Sequence, residues 1–330
     1  MSISRRILSK YFDILEENGT AQYINCKYAP VSFDSSESTD DLWEKHNLTL
    51  QKMNVCDVQP KQSLLDLKIE LANRIFKNCC LCERRCKIDR RKNPGNCGVK
   101  ESKITSEFLH LGEESVLVPS YTVFFSGCTF HCVFCQNWDI SQSNSGLYVK
   151  PQILSTMIIK RRLEGAKNVN WVGGDPTSNL LYILKVLKEC KTNLPQIWNS
   201  NMYCSTETMK LLNGIIDLYL TDFKYGNDCC AQRLSKVDNY SKIAKRNHKI
   251  AYRQGEMIVR HLVLPNHISC CSEPILQWIS KNIPDVLVNV MVQYRPEYKA
   301  YEYEDLSRPV STDEFTKVKL LAEKLHIHET

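Results

Sequence analysis

From residue 121 onward, short apolar runs rich in β-branched and aromatic residues alternate with helical patterns, and this alternation constrains the fold more than any other feature. The runs cover residues 121–125, 170–173, 196–199, 217–223, 257–264 and 287–294. Helical spacing fills residues 151–164, 179–190, 205–213, 229–247 and 271–282. A last helix is predicted from Ser311, which with Glu314 makes a capping-box pair, to about Lys324. Strand alternating with helix implies parallel strands and right-handed crossovers. The expectation is therefore an α/β fold, a partial (β/α)6 barrel rather than the complete eight-unit form. Barrels of this kind collect their chemistry at the C-terminal ends of the strands.

Two segments precede the barrel. Residues 1–60 carry a Ser- and acid-rich patch (32–41) with little periodicity and are expected to form a variable, partly mobile arm. Residues 61–110 begin with a helix, its apolar face marked by Leu64, Leu67, Leu71 and Ile75, and continue into a Cys-rich stretch. The barrel is assigned to residues 111–330.

Cysteine usage is the compositional anomaly: 16 in 330 residues. The N-terminal residues lack the long apolar core of a secretory signal, so the thiols are expected in a reducing, cytoplasmic setting. There, clustered Cys means metal or redox chemistry more often than disulfides. No apolar run is long enough to span a bilayer, so no membrane partner is expected. The formal charge of +6, from 43 basic and 37 acidic residues spread along the chain, neither requires nor excludes nucleic acid.

The reactive-looking residues fall where a barrel would need them. The first strand runs into S-G-C-T-F-H-C-V-F-C-Q-N (126–137), which spaces Cys128, Cys132 and Cys135 as C-x3-C-x2-C. Three thiolates on one loop can hold a [4Fe–4S] cluster with one iron left open, or zinc with His131 or a remote residue as fourth ligand. The second strand ends in Gly173, Gly174 and Asp175, and the glycines let a backbone approach a partner closely. Ser200 and Asn201 follow the third strand. Asp222 and Lys224, two apart, share one side of the fourth. Arg260 on the fifth has the fork to bind a carboxylate; Gln293 and Tyr294 end the sixth and are candidates to line a cavity. Before the barrel, Cys79, Cys82, Cys86 and Cys97 form C-x2-C-x3-C-x10-C, with Arg84, Arg85, Arg90 and Arg91 around them. Four such thiolates suit zinc or an iron–sulfur cluster equally well, as a possible auxiliary centre. Cys26, Cys56, Cys190, Cys204, Cys229, Cys230, Cys270 and Cys271 share no ligand spacing and are expected to be buried or incidental thiols.

The C-x3-C-x2-C loop with Phe134 before its last Cys, together with G-G-D-P-T (173–177) and D-F-K-Y-G (222–226), resembles the radical S-adenosylmethionine (SAM) superfamily. The likeness is closest to its pyruvate formate-lyase activating-enzyme-related branch. The resemblance implies a radical SAM barrel in which the cluster's open iron chelates SAM. The cluster's electron then cleaves SAM to a 5′-deoxyadenosyl radical, which abstracts hydrogen from a substrate. It implies that Gly173, Gly174 and Asp175 face the amino group of SAM, although the superfamily more often has Glu where Asp175 stands. It also implies SAM contacts for Asn201, Asp222, Lys224, Arg260 and Gln293, and a reducing donor such as a flavodoxin or ferredoxin. Three functions follow: hydrogen abstraction from a small molecule, peptide side chain or tRNA; glycyl-radical activation of a partner protein; or a non-enzymatic iron–sulfur or zinc module.

Overall fold

Strands buried on both faces build the sheet. In the computed structural model, which describes residues 2–330, eight strands lie in sequential order in one open sheet. They are β1 (Ile104–His110), β2 (Ser120–Phe125), β3 (Asn168–Gly173), β4 (Gln196–Ser200), β5 (Leu218–Asp222), β6 (Glu256–Leu262), β7 (Leu287–Met291) and β8 (His328–Glu329). β1 is antiparallel to β2, and every later pair is parallel. The six strands β2 to β7 are the expected ones with ends moved by one to three residues: β2, β3 and β4 are longer, β5 and β7 shorter, and β6 starts and stops earlier. β1 and β8 extend the sheet on either side, and they were not anticipated.

Alternate residues of each strand face opposite layers. Trp171, Trp198, Tyr219, Val259 and Val288 belong to the large core beneath the crossover helices. Ile197, Leu218, Leu220, Ile258 and Leu287 form a second, smaller cluster on the concave side. The helices stand where their caps begin them. Ser205 caps Thr206–Leu212, and the Ser311–Glu314 capping box opens Thr312–Lys324. The stretch expected as one helix over 229–247 is two, Asp228–Ser235 and Tyr240–Gln254. Between them Lys236 and Asn239 take left-handed backbone conformations and break the continuity.

The N-terminal residues depart most from expectation. Instead of a mobile arm, residues 1–60 contribute the helices Ile3–Ile7, Ser9–Leu15, Gln22–Tyr28 and Thr39–Gln51. Leu8 and Tyr11 are fully buried in the concave cluster, where they plug the barrel at the N-terminal ends of its strands. The Tyr11 hydroxyl accepts from Asn168 of β3 (2.9 Å), and the Lys10 and Tyr11 amides donate to Glu256 of β6. Further along, the buried Lys68 ammonium meets His46 (2.8 Å) and the Asn213 carbonyl (2.8 Å), fastening these helices to the barrel. Ile3–Ile7 buries no side chain and the other three helices two or three each, too few for a periodic signature.

Candidate functional site

The C-terminal ends of the strands open into a cavity of about 500 Å³, within the range of small-ligand sites. Its walls come from the concave face: Phe124, Val172, Asn199, Asp222, Leu262 and Met291, with Gly173 at the end of β3 and Gly174, Asn201, Lys224 and Gln293 on the loops beyond. Cys128, Cys132 and Cys135 stand on the loop after β2 and line the same space. Their loop is anchored by aromatics. Phe130 packs edge-on against Tyr203 and Tyr240, and Phe134 against Tyr225 and Tyr294. Tyr294 is therefore a packing residue, its hydroxyl spent on the Leu306 carbonyl.

Each thiol has a donor beside it. The Phe130 amide (3.3 Å) and Asn201 Nδ2 (3.7 Å) point at Cys128 Sγ, and the Ser235 hydroxyl donates to Cys132 Sγ (2.9 Å). Ser141 Oγ lies 3.2 Å from Cys135 Sγ. Without a metal, burial pushes the Cys128 thiol well up, and pushes Cys132 to about 11 despite the nearby Lys224. Buried thiols with nothing to ionise them suit ligation to a metal that displaces their protons. His131 does not join them: its ring nitrogens face Gln142 and Asn96.

The glycine pair serves the protein backbone. A Cβ on Gly174 would stand 2.0 Å from the Gly127 carbonyl oxygen, and one on Gly173 2.1 Å from the Phe125 nitrogen. The Gly174 amide donates to Phe125 O (2.8 Å) and the Asp175 amide to Gly127 O (3.1 Å), clamping the cysteine loop onto β3. Asp175 does not line the cavity. It is buried, accepting from the Thr177 amide, the Ser200 hydroxyl and the Asn201 amide, so that it sets the loops after β3 and β4. Burial raises its carboxyl above the ordinary value, and those hydrogen bonds draw it back.

Arg260 lines the cavity but its fork is taken. Its guanidinium pairs with Glu114 (2.8 and 2.7 Å) and with Glu113, both on the loop between β1 and β2. Asn289 of β7 donates to Glu114 and Asn170 of β3 to Glu113. Burial pushes the Glu114 carboxyl up, but Arg260 and Asn289 hold it below the usual range. This network, with His110 beside Glu113 (3.0 Å), floors the cavity. The sequence offers only an E-E pair in a loop as its signal. Lys224 Nζ lies 2.7 Å from Asp222, and that carboxylate outweighs burial to keep the ammonium charged.

Beside the cysteine loop, Cys79, Cys82, Cys86 and Cys97 line a small space of their own with Arg90. The Cys97 carbonyl lies 2.6 Å from where a Cβ of Gly127 would be, so the two Cys segments abut. Arg90 is buried, within 3.6 Å of Cys79 Sγ, and has no carboxylate partner among the described residues. Cys80 is not part of this lining.

Comparison with known proteins adds the following. Over 333 residues, 97% of this chain and 98% of the relative, the chain is 48% identical to the uncharacterized protein MJ0674 of Methanocaldococcus jannaschii. The chain belongs to that protein's family. Residues 118–236 match the model of the 4Fe-4S single cluster domain, and that span holds Cys128, Cys132 and Cys135. Among solved structures, methylornithine synthase (PylB) is similar over 97% of this chain and 77% of its own, at 16% identity and a TM-score of 0.46. HydG, a maturase of the [FeFe]-hydrogenase, is similar over 98% and 67%, at 12% identity and a TM-score of 0.46. Likeness of that extent leaves the functional reading to this chain's own residues. No helix among the described residues is long and apolar enough to cross a membrane.

Proposed function

We propose that the protein is a radical SAM enzyme that holds a [4Fe–4S] cluster on Cys128, Cys132 and Cys135 and acts on a substrate admitted to the same cavity. One observation carries the reading: three buried or half-buried thiols and the polar residues of successive strand ends converge on one space. Bound together, cluster and SAM would supply reductive carbon–sulfur cleavage and hydrogen-atom abstraction from the substrate. The chain's residues position and exclude. Asn201 and Ser235 donate toward cluster thiolates, stabilising their charge. Asp222 and Lys224 offer a carboxylate to an amine or ribose hydroxyl and an ammonium to a carboxylate, at the cavity wall. The Glu113–Glu114–Arg260 floor and the plug beneath it close the far end against water. A substrate must enter from the cysteine-loop side.

The test is anaerobic reconstitution with iron and sulfide, reduction in the presence of SAM, and assay of 5′-deoxyadenosine. Wild type should form it and Cys132→Ala should not; cleavage unchanged in the variant refutes the cluster assignment. Cys79, Cys82, Cys86 and Cys97 are proposed as an auxiliary metal centre, because buried Arg90 needs an anionic partner and four ligating thiolates supply one. Cys82→Ala should then lower the metal count while leaving SAM cleavage measurable.

A further inference from the structure

Three thiols outside both cysteine loops come together only in the folded chain. Cys230 stands in the first turn of the helix Asp228–Ser235, after β5; Cys270 and Cys271 stand in the π-helical turn Ile268–Ser272, after β6. Parallel pairing of β5 with β6 sets these two loops side by side. Cys230 Sγ is 3.9 Å from Cys270 Sγ, which is 3.9 Å from Cys271 Sγ, and all three lie within 4.8 Å of one another. Two features build the arrangement. Asn227 Nδ2 donates to both Cys230 Sγ (3.4 Å) and the Cys270 carbonyl (2.9 Å), bridging the loops. Gly226 admits their close approach, since a Cβ there would stand 2.5 Å from the Cys270 oxygen and 2.9 Å from Cys271 Cα. A single π turn such as the one carrying Cys270 and Cys271 is a recurrent feature of functional sites.

We propose that Cys230, Cys270 and Cys271 form a mononuclear site for a thiophilic d10 cation, Zn2+, distinct from the iron–sulfur cysteines. Bonds of about 2.3 Å in a tetrahedron place neighbouring sulfurs about 3.8 Å apart, which the Cys230–Cys270 and Cys270–Cys271 spacings match, with the third pair within 4.8 Å. A cubane spreads its ligands over four irons. Among the described residues, neither the Cys128 set nor the Cys79 set closes to the spacing of this trio. On binding, three sulfur–zinc bonds form and the thiol protons pass to solvent, with no change of oxidation state. The fourth position is left to water or an exchangeable ligand, on the side where Cys230 and Cys270 are only half-buried.

The experiment uses the full chain, reconstituted with iron and sulfide, incubated with Zn2+ and dialysed anaerobically, with zinc and iron counted together by mass spectrometry. Wild type and Cys229→Ser, which alters the exposed neighbour, should retain one zinc more than Cys230→Ser/Cys270→Ser, whether or not the Cys79 set also takes zinc, with iron unchanged. Should the double variant fail to fold, differential alkylation of wild type decides: bound zinc must protect Cys230, Cys270 and Cys271 while Cys229 stays reactive. Absence of zinc from wild type, equal zinc counts in wild type and a folded double variant, absence of protection, or a Cys230–Cys270 disulfide in the anaerobic protein would each overturn the site.

Discussion

Substituting Gly174 by Ala tests whether the glycine pair exists to seat the cysteine loop. The new Cβ would stand 2.0 Å from Gly127 O, 2.5 Å from Gly127 C and 3.1 Å from Ser141 Cα. All three are backbone atoms, two in the loop that carries the cysteines and one in the short helix Trp138–Ser141 that follows it, so no side chain can swing aside. Relief requires the loop to lift by more than about 1 Å, since carbon contacts settle near 3.5–4 Å. Overpacking of this kind costs about 1–3 kcal/mol. The lift also weakens the bonds from the Gly174 and Asp175 amides to Phe125 and Gly127, each worth about 1 kcal/mol. A loss of about 2–4 kcal/mol, divided by a urea slope of about 3 kcal/mol/M, lowers the unfolding midpoint by about 1 M. The assay is urea unfolding followed by circular dichroism under anaerobic buffer, with an iron count after reconstitution. Both midpoint and iron content should fall. An unchanged midpoint with full iron would refute the clamp and return these glycines to a purely ligand-facing role.

Two further outcomes follow from the buried charges. Arg260→Met strands Glu114, whose side chain is 1% exposed, and Glu113 in the cavity floor; breaking such a pair costs about 3–5 kcal/mol. Adding Glu114→Gln should recover part of that loss in urea unfolding, and strictly additive costs would contradict the network. His248, pulled down to about 4 by burial against its bond to the Ala244 carbonyl, stays neutral in the folded state. Unfolded, it takes up a proton below about pH 6.5, so its contribution to stability falls as pH drops from there toward 4. Between pH 7 and 5 that is about 2 kcal/mol. His248→Phe, which keeps a ring beside Phe223 and Trp278, should remove that increment from the acid sensitivity. An unchanged difference between the two pH values would show that the histidine is not held neutral.

Much of this architecture is local and was legible in the residues alone. Short apolar runs between helical patterns mark β2 to β7, and Ser311 and Glu314 mark a helix start, because each depends on a few neighbouring side chains. The spacing of Cys128, Cys132 and Cys135 likewise lies within one loop, and one face of each strand leads to the cavity. The remaining features depend on which strand ends meet, and sequence spacing is silent on that. Glu114 reaches Arg260 across 146 residues and Cys230 reaches Cys270 across 40, each through the register of parallel strands. The partners of Gly174 are backbone atoms of another loop, invisible in any motif. The N-terminal helices carry too few core residues to show a period, yet Leu8 and Tyr11, with Leu117, close the barrel because its lower end presents an apolar ring that they bury.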